Sequence, residues 1–395
     1  MSEQVGLGPH TPVVVAARRT PVGTAGRSLA GVDVVDLTAA ALAALAEDLT
    51  ATGVLPQTPI DDVVIGNTRG PGGNIARVAA LRAGLGVGVP GVTLDRQCGS
   101  GQAAVHQAAS HILSGTADLV LAGGAESAST QPLTAWPDGK AFTRPPFAPV
   151  DFADPEMGIA ADDLAAAHGI DRDRQDAYAH RSHRLSLASI GSGLEDGEIV
   201  PVAGLRQDER PRPISMSVLQ RLPAAFHPGG TVTAGNSCGI SDGAAVVAVV
   251  SERLRARLGV PGLALRAWTA AGVDPRWPGL GPVPAVQTLL GRAGIGWEAI
   301  DVVEITEAFA SVVLACSQAW GLDPMGRDGE RVCPQGGAIA RGHPWGASGA
   351  LLVVRLFSQI VRSVEHGCDG PSVGVATCAI GGGQGLALLA ERVGR

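Results

Sequence analysis

The chain predicts an α/β layered fold built from two similar halves, and three observations carry that prediction. Short β-branched runs alternate with Ala-rich amphipathic stretches along the first 126 residues. The same order recurs after residue 263. The composition, 395 residues with 45% hydrophobic and 17% charged, suits a chain of two or three domains with substantial cores and is too apolar for disorder.

Val13–Ala17 is β-branched and Ala-rich, as a buried strand should be, and Val34–Leu49 spaces its apolar residues at helical intervals. Val63–Ile65 and Val92–Leu94 read as strands, Ala76–Ala83 and Gly101–Leu113 as helices, and Leu119–Ala122 as a strand ending at Gly123–Gly124. This βαβαβαβ order predicts a buried, mostly parallel sheet covered by helices. In the second half Ala299–Ile305 echoes Ile60–Ile65, and Gly346–Ile360 follows a Gly-rich turn as Gly99–Leu113 does. Val373–Ala376 leads into Gly381–Gly383 as Leu119–Ala122 leads into Gly123–Gly124. Offsets of roughly 240 and 258 residues indicate a duplicated domain, because solenoid repeats are far shorter. The stretch between the halves is rich in Pro, Arg and Asp and reads as an inserted layer of loops and short helices, with Asp171–Ile190 its main helix. The expected units are residues 1–126 with 241–262, the insert 127–240, and residues 263–395.

A net charge of −7 argues against nucleic acid as the main partner, and no apolar run is long enough to span a bilayer. No secretory signal is visible at the start, and the cysteines at 98, 238, 316, 333, 368 and 378 form no CxxC pair or zinc spacing. They read as reduced thiols of a cytoplasmic protein, with no metal site.

Two segments carry candidate chemistry. Cys98, in LDRQCGSGQAAV, lies between a strand end and a helix start, with Gly99 and Gly101 allowing a sharp turn. The positive end of a helix dipole favours a thiolate there, which suits a nucleophile; a small buried cysteine at a strand end is the alternative. His343, in ARGHPWGASG, occupies the corresponding turn of the second half and is the type of residue that draws a proton from a thiol; a structural histidine in a Gly-rich loop is the alternative.

These segments resemble the thiolases, the acetyl-CoA C-acyltransferases. QCGSGQAAV is similar to the nucleophile segment and GGAIARGHPWGASG to the histidine segment, while MGIAADDLA, TVTAGNSCGISDGAA and CAIGGGQG fall in the family's order. The resemblance covers almost the whole chain. It implies a thiolase fold, with two βαβαβαββ halves forming an α-β-α-β-α core plus an inserted loop domain that grips coenzyme A. It also implies CoA thioesters as substrates, no permanently bound cofactor, and a homodimer or homotetramer. Position by position, Cys98 would carry the acyl group, His343 would take its proton, and the Gly381 amide would join that of Cys98 in an oxyanion hole. Met157 and Phe309 would wall the pantetheine tunnel, and Arg212, in a cluster with Arg206, Arg210 and Arg221, would meet the nucleotide.

The chain departs from the family pattern at three places. The ungapped register GVATCAIGGGQG puts Ala379 where the family has its acid–base cysteine, with Cys378 one residue early. A regular strand would turn Cys378 away, whereas a bulge would aim it back. Thr306 begins TEAFA, where an Asn or His that positions an oxyanion-hole water is usual, and Glu156 stands where a His is common. The leading expectation is a thiolase-type C-acyltransferase, with Cys378 or Glu156 as the base. The alternatives are an acyltransferase or decarboxylative ketosynthase-like enzyme that needs no such base, and a non-catalytic acyl-CoA-binding partner subunit.

Overall fold

The computed structural model describes residues 7–142, 144–365 and 370–394; Cys368 lies outside them. The strands that build the core are β1 (Pro12–Arg19), β2 (Asp62–Gly66), β3 (Val92–Leu94), β4 (Leu119–Ser127), β5 (Ser241–Ser251), β6 (Gly262–Gly272), β7 (Val302–Ile305), β8 (Val373–Ile380) and β9 (Gln384–Val393). The main helices are α1 (Val34–Ala51), α2 (Ile75–Arg82), α3 (Ser100–Leu113), α4 (Met157–Ala167), α5 (Arg172–Gly191), α6 (Pro282–Ala293), α7 (Ala310–Trp320) and α8 (Trp345–Phe357). Asp33 and Asp171 cap α1 and α5 by accepting the Asp36 and Arg174 amides, satisfying donors the first turn leaves free.

The strands run in the order β7-β8-β9-β6-β1-β5-β4-β2-β3, a sequence that mirrors itself about the β6–β1 junction. β2 and β4 correspond to β7 and β8, and β5 to β9. The sheet is not mostly parallel. Only β2–β3, β2–β4 and β7–β8 pair in parallel among these strands, while β5, β9 and the junction make antiparallel pairs. Each half returns its last strand between the parallel strands and the junction, and that long-range return carries no local sequence signature.

Five layers result. α1 and α2 cover one outer face, with Leu37, Leu42, Leu45 and Leu49 of α1 fully buried, each contributing about 1.5–3 kcal/mol. α3 and α8 lie side by side in the middle, and α6 and α7 cover the other outer face. The middle layer depends on glycine. A Cβ on Gly124 would sit 2.0 Å from the Gly346 carbonyl oxygen, and one on Gly101 2.8 Å from the same atom.

The insert packs α4 and α5 on α7. A buried ionic cluster ties it to both halves. Arg19 of β1 meets Glu195 (2.9 Å), Glu198 (2.9 Å) and Asp208 (2.7 Å). Arg341 meets Glu195 and Asp208 at 2.6 and 2.7 Å, and Arg355 of α8 meets Glu198 at 2.6 Å. Among the described residues no helix is long and apolar enough to cross a membrane, and no side-chain cluster has the makeup of a metal site.

Candidate active site

Cys98 closes a tight turn between β3 and α3. Gln97 takes φ +47°, a conformation that residues with a Cβ rarely adopt, and the Asp95 carboxylate accepts its amide at 2.7 Å. Ser100 locks the turn by accepting the Arg96 amide at 2.8 Å and donating to the Gln97 carbonyl at 2.6 Å. The Cys98 and Gly381 amides both point at the Cys98 sulfur. Burial and the neighbouring carboxylate of Glu126 outweigh them and push the thiol up to about 12. The thiolate expected from the helix dipole is therefore not the resting form. Desolvation overrides a helix terminus whose field acts only over its first turn.

His343 sits on the turn before α8, 4% exposed. Its amide donates to the Gly239 carbonyl (3.0 Å), and its ring Nδ1 lies 2.6 Å from Ser348 Oγ. Ser348 spends its own proton on the Pro344 carbonyl at 3.0 Å, so its oxygen accepts from Nδ1–H and leaves the Nε2 lone pair free. Burial lowers the imidazole to about 4, which keeps it neutral and able to take a proton.

One cavity of about 470 Å³, a usual size for a small-molecule site, gathers these groups. Cys98, His343, Met157, Phe309 and Ala379 line it, together with Cys238, Arg210, Phe226 and Trp345. The Phe226 and Phe309 rings meet edge to face, 6.0 Å apart. Phe147 of the insert covers the Gly381 turn so closely that a Cβ there would lie 2.7 Å from its ring.

Other expected residues fall elsewhere. β8 pairs with β9 without a register shift from Val373↔Glu391 to Ile380↔Gln384, so no bulge re-aims Cys378. Cys378 is fully buried against α3, its thiol donating to Gln102 Oε1 at 3.3 Å, while Ala379 faces the cavity. Glu156 is largely exposed, paired with Arg144 at 3.3 Å and off the cavity wall: it stands at the N-cap position of α4 with its side chain turned to solvent rather than onto the helix amides. Thr306 is buried, with no protein partner for its hydroxyl, and lines a separate small void beside Ser348 and Arg341. Arg212 lines a different groove of about 770 Å³ with His180, His183 and Arg184, whereas Arg206 and Arg221 are exposed.

Four contributors were not singled out from sequence. Ser348 and Glu126 reveal themselves only through tertiary contacts, although Ser348 lies one helical turn into α8. Glu126 accepts amides from Arg69 (3.0 Å) and Gly346 (2.9 Å), bridging the two halves beneath Cys98, and burial raises it to about 7. Glu307 accepts hydroxyls from Tyr178 (2.9 Å) and Ser182 (2.6 Å), anchoring the insert beside Phe309. Cys238 had a visible signal, a thiol beside glycine in NSCG.

Comparison with known proteins agrees with this architecture. The family description "Thiolase, N-terminal domain" matches residues 12–253, and "Thiolase, C-terminal domain" matches residues 260–392. The chain is 40% identical to an acetyl-CoA acetyltransferase of Pseudomonas aeruginosa, over 96% of this chain and 99% of that protein. It is 39% identical to an acetyl-CoA acetyltransferase of Thiocystis violacea, over 97% and 99%. The crystal structure of the Bacillus anthracis acetyl-CoA acetyltransferase superposes with a TM-score of 0.87 at 33% identity, covering 98% of this chain and all of that one. With both thiolase domains in order and the duplicated five-layer fold around Cys98 and His343, the chain belongs to the thiolase family and is a thiolase-type acyl-CoA C-acyltransferase.

Proposed function

We propose that Cys98 takes an acyl group from an acyl-CoA as a thioester and passes it to the α-carbon of a second acyl-CoA, or runs the reverse cleavage by CoA. The observation that carries this reading is one cavity lined by Cys98 and His343, with the Gly381 amide directed at the Cys98 sulfur. His343 Nε2 removes the thiol proton as sulfur attacks the thioester carbonyl. The Cys98 and Gly381 amides receive the developing oxyanion, and such donors are worth about 3–4 kcal/mol each. The apolar wall of Met157, Phe226 and Phe309 suits a pantetheine arm, and the groove at Arg212, Arg184, His180 and His183 suits the cofactor's phosphates.

On this reading CoA thioesters are the substrates and the reaction needs no resident cofactor. The free thiols at Cys98, Cys238, Cys316, Cys333 and Cys378 support a reducing, cytoplasmic compartment. Leu133, Trp136, Val150 and Phe152 of the insert are exposed and support self-association through that surface.

Acetyl-CoA incubation followed by peptide mass spectrometry should place the acyl group on Cys98, and a carbon–carbon product should accumulate. Acylation elsewhere with Cys98 unmodified would sink the assignment. Arg212→Ala should raise KM for CoA thioesters about tenfold and leave truncated pantetheine thioesters nearly unchanged; equal losses would make Arg212 structural. A second reading, acyl transfer to another nucleophile without carbon–carbon chemistry, is favoured by one observation: an alanine, Ala379, faces the cavity where the family has a base.

A further inference from the structure

Carbon–carbon bond formation requires a group that removes an α-proton from the second acyl-CoA. His343 already holds the Cys98 proton at that stage, Ala379 offers no acid–base group, and Cys378 lies on the far face of β8. Among the described residues only two cysteines line the cavity, Cys98 and Cys238.

Cys238 is held in place by its backbone. Its amide donates to the Ala308 carbonyl at 2.9 Å, and the next carbonyl, that of Gly239, accepts from His343 N–H at 3.0 Å. The residue is therefore fixed between the segment carrying Phe309 and the segment carrying the histidine. Burial pushes the Cys238 thiol up to about 12, and a charge on Cys98, felt by Cys238 as by Cys378, adds to that. Arg210 supplies the opposite influence. Its guanidinium lies against Gly239, so closely that a Cβ there would be 2.2 Å from Cζ. It lines the same cavity, and its buried Nε has no partner among the described residues. A cation placed beside Cys238 stabilises a thiolate once Cys98 has become a neutral thioester.

We propose that Cys238 is the acid–base residue of the condensation step, with Arg210 stabilising its thiolate; this rests on the carbon–carbon reading above. The protons balance. Cys98 attacks the first thioester while His343 takes its proton, and the departing CoA sulfur takes the Cys238 proton to leave as free CoA. The Cys238 thiolate then takes an α-proton from the second acyl-CoA. The resulting carbanion attacks the Cys98 thioester, forming the carbon–carbon bond and breaking the carbon–sulfur bond. Cys98 leaves as thiolate and recovers its proton from His343. The sum is two acyl-CoA giving one 3-oxoacyl-CoA and one CoA.

The test follows α-proton exchange of acetyl-CoA in D2O and product formation, alongside Cys98 acylation from a thiophenyl acetate thioester, whose acidic leaving thiol needs no proton. Cys238→Ala and Cys238→Ser should each slow exchange and condensation by roughly 10²–10⁴-fold, the usual worth of a general base, while the acyl adduct on Cys98 still forms. The double variant Cys238→Ala, Ala379→Cys should regain exchange at least about tenfold over Cys238→Ala, since it restores a thiol to the same cavity from β8. Exchange within about threefold of wild type in Cys238→Ala overturns the proposal and leaves the carbon–carbon reading standing. Loss of adduct and exchange together, without rescue, makes Cys238 a packing residue and also overturns it. Absence of both exchange and condensation in the wild-type protein overturns the carbon–carbon reading as well.

Discussion

At neutral pH the Cys98–His343 pair is a thiol beside an imidazole, not an ion pair. Burial pushes the thiol up to about 12 and the imidazole down to about 4, so neither charge forms until a substrate carbonyl is ready to accept the electrons. Two expectations follow. Iodoacetamide should alkylate Cys98 ever faster from pH 8 to beyond pH 10; a plateau reached below pH 8 would show a stable thiolate. Acylation by acyl-CoA should not slow from pH 8 down to about pH 5, because the depressed imidazole stays unprotonated there and is lost as a base only as pH falls through 4, while protonation of Glu126 near 7 removes a charge that opposes the thiolate. An ordinary histidine, near 6.5, would already have lost most of that rate. Ser348 fixes the tautomer through its 2.6 Å contact with Nδ1. Ser348→Ala removes the bond to Nδ1, worth about 0.5–1.5 kcal/mol, along with that to the Pro344 carbonyl, and should slow acylation up to about tenfold with KM little changed. A change in KM alone would assign Ser348 to binding instead.

Elements were legible where a local period announces them. The helix expected at Gly101–Leu113 runs Ser100–Leu113, and that expected at Asp171–Ile190 runs Arg172–Gly191. The strand expected to stop before Gly123–Gly124 continues to Ser127. Those glycines look like a turn in sequence, but in the sheet the missing side chain of Gly124 admits the backbone of α8 and that of Gly123 the backbone of β5. The antiparallel returns of β5 and β9 were illegible for a related reason, since strand direction is settled by partners far away in sequence. The nucleophile and histidine turns carry local glycine signatures and could be found. Ser348, Glu126 and Arg210 acquire their relation to the site only when the layers assemble. β8 combines both kinds of information: its alternation was readable, and its unbulged pairing decides which residue faces the site. Cys378→Ala should accordingly leave acylation and condensation intact and cost about 1 kcal/mol, the loss of a small buried group. Abolished condensation with intact acylation of Cys98 would show instead that Cys378 reaches the substrate.

Across the whole molecule, the buried charges divide into two groups that respond to pH in opposite senses. Glu195, Glu198 and Asp208 are held below the ordinary carboxylate range by Arg19, Arg341 and Arg355, despite burial that acts the other way. They also place function: Asp208 lies two residues before Arg210, and Arg341 two before His343. Because these carboxyls bind protons less readily folded than unfolded, the stability they contribute is complete above the unfolded values near 4 and is lost as pH falls below them. Glu126 and Glu304 behave oppositely. Burial raises both to about 7, above the unfolded value of 4.5. Between those values the folded chain binds more protons than the unfolded one, so stability falls as pH rises from 4.5 to 7 and stays lower beyond it. Of these two groups it is therefore mainly the second that acts between pH 5 and 8. Glu304 accepts from Gln359 Nε2 at 2.6 Å and makes no ion pair among the described residues, so it is the cleaner group to test. Glu304→Gln keeps a neutral side chain of the same shape at every pH. Melting curves from pH 5 to 8 should show the variant losing less stability over that interval than the wild-type protein. An unchanged decline would assign the alkaline limb to other groups, and a steeper one would mean that Glu304 is ionised and stabilising in the folded state.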